Sequence, residues 1–374
     1  MVKIALIVGA RPNFMKAIPI YNSLCKHVSK QELYFIHTGQ HYTHSLSQVF
    51  IDELEINYND IIYLEKYSKT VYPKESLIDG FSWIIKNLSK LFVNEKIDNV
   101  IVFGDVNSTL AAALAAKMNN ISLTHVEAGL RSYDMNMPEE RNRTLVDRMS
   151  DLLFITEISA KENLLKEGIN NNVYHCGNTM IDTLKKYLPL VKNSQHSSTS
   201  EATQFKYILF TLHRQKNVDN KETLEKIMKS IKNVSDILKQ PVLFVHHPRT
   251  LKNIEKFNIE TGDIVLLKSQ SYLNMLKLVY NCGILITDSG GLQEESAYLG
   301  VPCVTIRKNT ERPLTVYKGY NNIISPYESK FNSLFIQEVI SKYGMRNNNI
   351  EELKSEMGNG NAADKIVEII LNKI

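Results

Sequence analysis

Ser289-Gly290-Gly291 follows the apolar run GILITD and opens LQEESAY, a stretch with helical spacing. Glycines at such a turn let a ligand approach the backbone closely, and the free amides of a helix N-terminus bind phosphate oxygens. Glu294 and Glu295, one turn on, are placed to accept hydrogen bonds from ribose hydroxyls; the plainer reading is compensation of the helix dipole. Arg11, Lys16, Arg214 and Arg312 supply countercharge for a diphosphate. No Gly-Lys-Ser/Thr follows the glycines, so this is not a Walker A loop, and the chain has no GxGxxG, which disfavours a dinucleotide redox cofactor.

The same polar signature ends nearly every apolar run. Gly9-Ala10-Arg11-Pro12 follows the first, Thr38, Gln40 and His41 the second, and Gly104-Asp105 the third, with Asn107, Ser108 and Thr109 entering a helix. The run through His125 delivers Glu127 and Arg131, and PEERNR then supplies Glu139, Glu140 and Arg143. Later runs end in His213-Arg214, His246-His247-Pro248-Arg249 and Asp288, and TERP adds Glu311 and Arg312. Each has a bland alternative. Gly9 and Gly104 can terminate strands, Asp105 and Ser108 can cap the helix that follows, and Arg141 and Arg143 can pair with Glu139 and Glu140 on a solvated face. His246-His247 lacks a carboxylate or cysteine at ligand spacing, so no metal site is expected. The convergence of so many polar strand ends favours a ligand site.

These residues must be positioned by the elements before them. KIALIVG, LYFIHTG, NVIVFGD, ISLTHVEA, DLLFITE and VYHCGN alternate with helical patterns such as NSTLAAALAAKMNN. The second half repeats the plan with YILFTLHR, PVLFVHHP, DIVLLK, GILITDS and PCVTIR. Apolar strands alternating with helices predict α/β structure, with parallel sheets covered on both faces. Two such series predict two Rossmann-like, doubly wound domains. Ligands bind beyond the C-terminal strand ends of such sheets, so the expected site is a cleft between the domains holding a nucleotide diphosphate with something attached. We read residues 1–185 as the first domain, a polar Ser/Thr-rich linker near 185–205, 206–357 as the second domain, and 358–374 as a helix packing back on the first.

Composition narrows the classes further. The 374 residues are 43% hydrophobic, enough for real cores and too long for one typical domain. A net charge of +4 does not argue for a nucleic-acid partner. Cys25, Cys176, Cys282 and Cys303 are widely spaced, without CxxC, and fit neither a zinc site nor a disulfide framework. The opening MVKIALIVGARP lacks the pattern of a signal peptide, and no apolar run is long enough to cross a bilayer. A cytoplasmic protein with reduced thiols is expected.

The motifs GARPNFMK, HTGQHY, GDVNST, HVEAGLR, PEERNR, CGNTMIDTL, the His213-Arg214 pair, DSGGLQEES and TERP, in this order, resemble the non-hydrolysing UDP-N-acetylglucosamine 2-epimerases over almost the whole chain. The resemblance implies the glycosyltransferase-B architecture, no cofactor, a homodimer, and supply of sugar nucleotides for cell-surface polysaccharide. It implies that Asp105, Glu127 and Glu139 are catalytic carboxylates and that His213 is a catalytic or diphosphate-contacting histidine. It assigns Arg11, Lys16, Arg214, Ser289, Gly290, Gly291, Glu295 and Arg312 to UDP, and Gln40, His41 and Glu139 to a second, activating UDP-sugar. Some positions depart from the family: Asn13 stands where an acid commonly follows Arg-Pro, QKNVDN follows His213-Arg214 where REN is usual, and HHPRT replaces a common Asn-Pro pair.

Carbon 2 of an N-acetylhexosamine is not adjacent to a carbonyl carbon, so inversion there requires oxidation next door or elimination. Without a redox fingerprint, elimination is the consistent route, and it is the family's: UDP leaves anti as C2 loses its proton, giving 2-acetamidoglucal, and then adds back. That needs acid/base carboxyls near C2 and cations on the diphosphate. Alternatives are a 2-epimerase of a related UDP-sugar such as a diacetamido uronic acid, a UDP-sugar glycosyltransferase of the same fold, and a hydrolysing epimerase, whose Arg-Ala-Asp differs from Arg11-Pro12-Asn13.

Overall fold

The structure, a computed structural model, describes residues 2–40, 60–68, 70–73, 76–193, 206–347 and 349–374. Two compact units emerge, Met1–Lys186 with Ser355–Ile374, and Tyr187–Lys354. Of the linker read near 185–205, residues 185–193 continue a helix and 194–205 lie outside the described residues.

The first unit holds strands β1 (Ile4–Val8), β2 (Leu33–His37), β3 (Ile61–Tyr63), β4 (Asn99–Phe103), β5 (Ser122–Ala128), β6 (Leu152–Ile155) and β7 (Val173–His175). They form one sheet in the order β3-β2-β1-β4-β5-β6-β7, parallel throughout. The second unit contains β8 (Ile208–Phe210), β9 (Val242–Val245), β10 (Val265–Leu267), β11 (Ile284–Thr287), β12 (Cys303–Ile306) and β13 (Asn321–Ile324). These also run parallel, in the order β10-β9-β8-β11-β12-β13. Every residue of β1, β4, β8 and β12 is buried, as strands covered on both faces must be. The edge strands β3 and β13 were not legible among the apolar runs: one has three residues and the other, NNII, begins with two asparagines.

The helices in chain order are α1 (Arg11–Leu24), α2 (Leu77–Glu95), α3 (Asn107–Met118), α4 (Pro138–Met149), α5 (Ile158–Lys166), α6 (Thr179–Asn193), α7 (Gln215–Val218), α8 (Lys221–Leu238), α9 (Pro248–Phe257), α10 (Tyr272–Asn281), α11 (Gly290–Tyr298), α12 (Pro313–Tyr317), α13 (Phe331–Lys342), α14 (Glu351–Met357) and α15 (Ala362–Lys373). Helix α3 buries Ala111, Ala112, Ala113, Ala115 and Ala116, small residues that let α2 and α4 approach closely on either side. In the second unit Ile227, Ile231 and Val234 of α8 pack with Phe331, Phe335 and Val339 of α13 over the strands. Helix α15 packs on α1, and Asp182 of α6 accepts the backbone N–H groups of Ala362 and Ala363 at 3.2 and 2.7 Å, capping α15 from outside. Burial pushes the Asp182 carboxyl up to about 6. No described helix is long and apolar enough to cross a membrane.

In each sheet the chain starts in the middle, builds outward to one edge, and returns to build the other. The reversal falls between β1 and β4 in the first sheet and between β8 and β11 in the second. Beyond the carboxyl ends of such strand pairs lies the crevice where open parallel sheets place their ligands.

Candidate active site

At the β1/β4 reversal the backbone is drawn tight. A Cβ on Gly9 would lie 2.0 Å from Ser108 Oγ and 2.7 Å from Thr38 Oγ1, so no larger residue fits. The Asn13 side chain accepts the N–H groups of Gly9 and Ala10 at 3.2 and 3.1 Å and donates to Phe103 O at 2.9 Å, stitching β1 to β4. Arg11 opens α1. One turn on, Lys16 is buried with Nζ 2.5 Å from Glu127 Oε2. Lys16, which the resemblance assigns to the diphosphate, is thus held here by a carboxylate.

Glu127 is unusual in its backbone. Its φ is +73°, and the β5–β6 register shifts between Val126 and Ala128. A non-glycine residue in the left-handed region is uncommon and strained, and such strain gathers at functional sites. The bulge breaks the alternation of β5 and sets a buried carboxylate against Lys16. Gly104, with φ +59°, ends β4 beside the same pair; a Cβ there would lie 3.0 Å from Lys16 Nζ and 3.7 Å from Glu127 Oε1.

Asp105, the next residue, does not cap α3. The N-cap is Val106, without a side-chain bond, and Ser108 receives Gln40 instead: Gln40 Oε1 accepts from Ser108 N at 2.8 Å and from Ser108 Oγ at 2.6 Å. The Asp105 carboxylate is taken by Arg143 Nη2. Arg143 is buried, so its reading as part of a solvated face fails; its other nitrogen, Nη1, lies 2.7 Å from Glu140 Oε2. Glu140 in turn accepts Ser132 N–H, Ser132 Oγ and Tyr133 N–H at 2.8–3.0 Å. Glu139 is exposed in the first turn of α4. Arg131 pairs with Asp147 at 2.7 Å and with Glu167 at 2.7 Å.

The β8/β11 reversal carries the second set. Asp288 is fully buried and gathers His213 and Arg214: it accepts both backbone N–H groups at 2.8–3.1 Å, Asn217 Nδ2 at 3.1 Å, and His213 Nδ1 at 2.8 Å. The His213 side chain is half-exposed, and with Nδ1 turned to Asp288 its Nε2 edge is the one available to a ligand. Despite complete burial, which alone would raise it, the His213 and amide partners hold the Asp288 carboxyl down to about 2. Arg214 Nε donates to Asp288 O at 2.9 Å, and its Nη2 stands 3.6 Å from Glu311 Oε1.

Ser289 is the N-cap of α11, with no side-chain cap bond, and Gly290 and Gly291 are its first two residues. Arg312 crosses this turn, with Nη1 2.6 Å from Glu311 Oε1 and Nε 2.8 Å from Glu294 Oε2. Gly290 makes room for it, since a Cβ there would lie 2.6 Å from Arg312 Nη1. Arg307 joins the cluster, 2.6 Å from Glu311 Oε2. Arg214, Arg307 and Arg312 meet Glu311 and Glu294 here, guanidinium groups of the kind that bind a diphosphate. Glu294 and Glu295 do not compensate the first turn of α11, which contains no acid. Glu294 belongs to Arg312, and Glu295 is buried beside the Tyr272 hydroxyl, which burial and that carboxylate push well above its ordinary range.

Gly9, Asp105 and Glu127 thus lie at the carboxyl ends of strands of the first sheet, and His213 and the Ser289 turn at those of the second. A profile of the UDP-N-acetylglucosamine 2-epimerase family matches residues 24–371. The chain belongs to that family. A UDP-N-acetylglucosamine 2-epimerase homolog of Methanococcus maripaludis is 39% identical over 99% of each chain. The UDP-2,3-diacetamido-2,3-dideoxy-D-glucuronate 2-epimerase of Pseudomonas aeruginosa is 32% identical, covering 98% of this chain and 99% of its own. The crystal structure of Methanocaldococcus jannaschii UDP-GlcNAc 2-epimerase in complex with UDP-GlcNAc and UDP superposes with a TM-score of 0.88 at 35% identity, covering 99% of this chain and 100% of that one. The two-sheet α/β architecture expected from the strand series is the architecture of these epimerases.

Several members of the site carried no sequence signal of their own. Asp147 lies within a helix and only its contacts reveal that it holds His125; Asp288 was singled out as a strand end, but not as the partner of His213. The His246-His247 doublet splits: His247 caps α9, accepting Arg249 N–H at 3.2 Å, and His246 is buried. No group of three or more potential metal ligands occurs among the described residues. His41 lies outside the described residues.

Proposed function

We propose that this family member interconverts UDP-N-acetylglucosamine and UDP-N-acetylmannosamine by eliminating and re-adding UDP. The observation that carries the reading is Glu127, a buried carboxylate in a left-handed backbone conformation, fixed against Lys16 at the end of a parallel strand. In the forward direction a carboxylate takes the C2 proton, the C1–O bond breaks, the electron pair forms the C1=C2 double bond of 2-acetamidoglucal, and UDP carries the bridging oxygen away. Protonation of C2 from the opposite face and return of the phosphate oxygen to C1 complete the inversion. Asp105, Glu127 and Glu139 are the proton-transfer groups of the proposal. His213, Arg214, Arg312, the Ser289-Gly290-Gly291 turn and Glu295 hold the nucleotide, together with Arg11 and Lys16, and carry the charge that grows on the leaving diphosphate.

The test is incubation with UDP-N-acetylglucosamine alone, followed by NMR. Appearance of the manno epimer without an acceptor supports the reading, whereas free N-acetylmannosamine points to a hydrolysing enzyme, and no reaction without an acceptor points to a glycosyltransferase. In heavy water the product should carry deuterium at C2, and an 18-O label in the C1–O–P bridge should scramble into the non-bridging β-phosphate oxygens. Deuterium at C2 with the bridging label retained would exclude elimination. The Pseudomonas relative favours one second reading, a 2-epimerase of a diacetamido UDP-uronic acid. Comparing kcat/KM on both sugars decides between them.

The proposal includes a cytoplasmic homodimer with a second UDP-sugar acting as activator through Gln40, His41 and Glu139. The motif HTGQHY supports it. Sigmoidal rates that become hyperbolic in His41→Ala are expected; hyperbolic rates in the unmodified protein count against an activator.

A further inference from the structure

Glu127 is flanked on both sides by residues bound to one carboxylate. Asp147 of α4 is fully buried. Its Oδ1 lies 2.7 Å from His125 Nδ1, two residues before Glu127. Its Oδ2 accepts the backbone N–H of Gly129, two residues after Glu127, at 3.1 Å. The strained residue is therefore gripped from both ends by the two oxygens of one side chain. The grip also reaches the neighbouring strand. His125, itself fully buried, turns Nε2 to Gly104 O at 2.9 Å, and Gly104 N donates back to Val126 O at 3.0 Å. Gly104 O belongs to the peptide group that links it to Asp105.

Donor and acceptor roles fix the hydrogens. A backbone carbonyl only accepts, so His125 Nε2 donates to Gly104. Asp147 also accepts from Gly129 N–H at 3.1 Å and lies 2.7 Å from Arg131 Nη1. Against the burial that would raise it, His125 and Arg131 hold the Asp147 carboxyl below its ordinary range. Arg131 is in turn clamped by Glu167, with Nε and Nη2 at 2.7 and 2.8 Å from the two oxygens.

We propose that Asp147, acting through His125 and Gly129, is a positioning residue that fixes Glu127 and Asp105 relative to each other for the proton transfers at C2. The inference rests on the epimerase reading, because only there do both carboxylates act on one carbon. A misplacement of about 1 Å at a reacting group can cost on the order of 100-fold in rate, while UDP, which the proposal assigns mainly to residues of the other sheet, should scarcely notice it.

The experiment compares Asp147→Asn, His125→Gln and Glu167→Gln with the unmodified protein, measuring kcat, KM, the UDP dissociation constant by calorimetry and the melting temperature. Expected for Asp147→Asn and His125→Gln is a fall in kcat of about 10- to 100-fold, with C2 deuterium exchange falling in parallel and with KM and UDP affinity within about twofold. Glu167→Gln loosens Arg131 from outside; it should lower the melting temperature but keep kcat within about twofold. Equal kcat in all four proteins, assayed well below their melting temperatures, would overturn the proposal. So would a loss of UDP affinity as large as the loss of kcat, which marks general disruption. Should Asp147→Asn fail to fold, His125→Gln decides by the same criteria. An unmodified protein that leaves UDP-N-acetylglucosamine unchanged refutes the functional reading instead.

Discussion

Asn13 shows how much a single side-chain amide does. Its oxygen collects two backbone N–H groups after β1, and its nitrogen serves Phe103 O at the end of β4. An acid, common at this place in the family, can accept but cannot donate. We predict that Asn13→Asp leaves Phe103 O facing a carboxylate in a buried setting and lowers stability by about 1–3 kcal/mol, read as a drop in melting temperature. A melting temperature equal to that of the unmodified protein would show that the stitch between β1 and β4 carries no weight. Arg312 and Glu127 divide the labour differently. On the proposed roles, Arg312→Ala removes a guanidinium from the arginine cluster at the α11 turn and should weaken UDP binding by about 1.5–3 kcal/mol. Glu127→Gln keeps its shape and should spare UDP affinity while lowering kcat. Calorimetry with UDP beside steady-state kinetics checks both; a UDP affinity lost equally in the two variants contradicts the division.

At the scale of elements, the turn into α11 is built around a missing side chain. A methyl group on Gly290 would meet Arg312 Nη1 at 2.6 Å and Glu311 Oε1 at 2.8 Å. Both groups are ends of side chains, but both are buried in a charge network that resists displacement. Gly290→Ala should therefore push Arg312 from its place and reduce UDP affinity about 10-fold or more, with the fold intact by circular dichroism. Unchanged affinity would mean that Arg312 moves freely. This glycine was legible from sequence because SGG opens a helix after an apolar strand. So were eleven of the strands, as apolar runs, which in the inner strands such as β1, β4, β8 and β12 report burial on both faces. Of the four edge strands, β3 and β13 escaped, β3 because it is only three residues long and β13 because NNII opens with two asparagines. The partners of the site escaped for another reason. Asp147 to His125 spans 22 residues and Asp288 to His213 spans 75, and no local periodicity encodes contacts that only the sheet topology creates. The same holds for Gln40, which takes the capping role at α3 that spacing gave to Asp105 and Ser108.

Across the whole molecule, one buried and one half-buried carboxylate tie stability to pH in opposite directions. Asp288 is held down to about 2 in the folded protein, against an ordinary value of 3.8. A depressed carboxyl binds fewer protons folded than unfolded, so it contributes stability that is fully present above pH 3.8 and is lost as the pH falls through about 2. Its size follows from the shift, about 2 kcal/mol. Asp182 is raised to about 6 by burial, so the folded protein holds its proton more tightly than the unfolded chain does, and ionisation costs stability as the pH rises from 3.8 through about 6. The two windows do not overlap, which makes them separable. Thermal denaturation of Asp288→Asn and of the unmodified protein, followed from pH 7 down to pH 2, should show a gap near neutrality that narrows steeply below pH 4. Asp182→Asn should leave that gap alone and flatten the stability profile between pH 4 and pH 6 instead. The same Asp288 carboxylate pairs with His213, so, if His213 contacts the diphosphate as proposed, its loss at neutral pH should also lower kcat by freeing the imidazole from its orientation. A stability gap of constant size from pH 7 to pH 2 would show that Asp288 stabilises the second unit by shape alone, and the charge pairing with His213 would then have to be abandoned as its reason for being there.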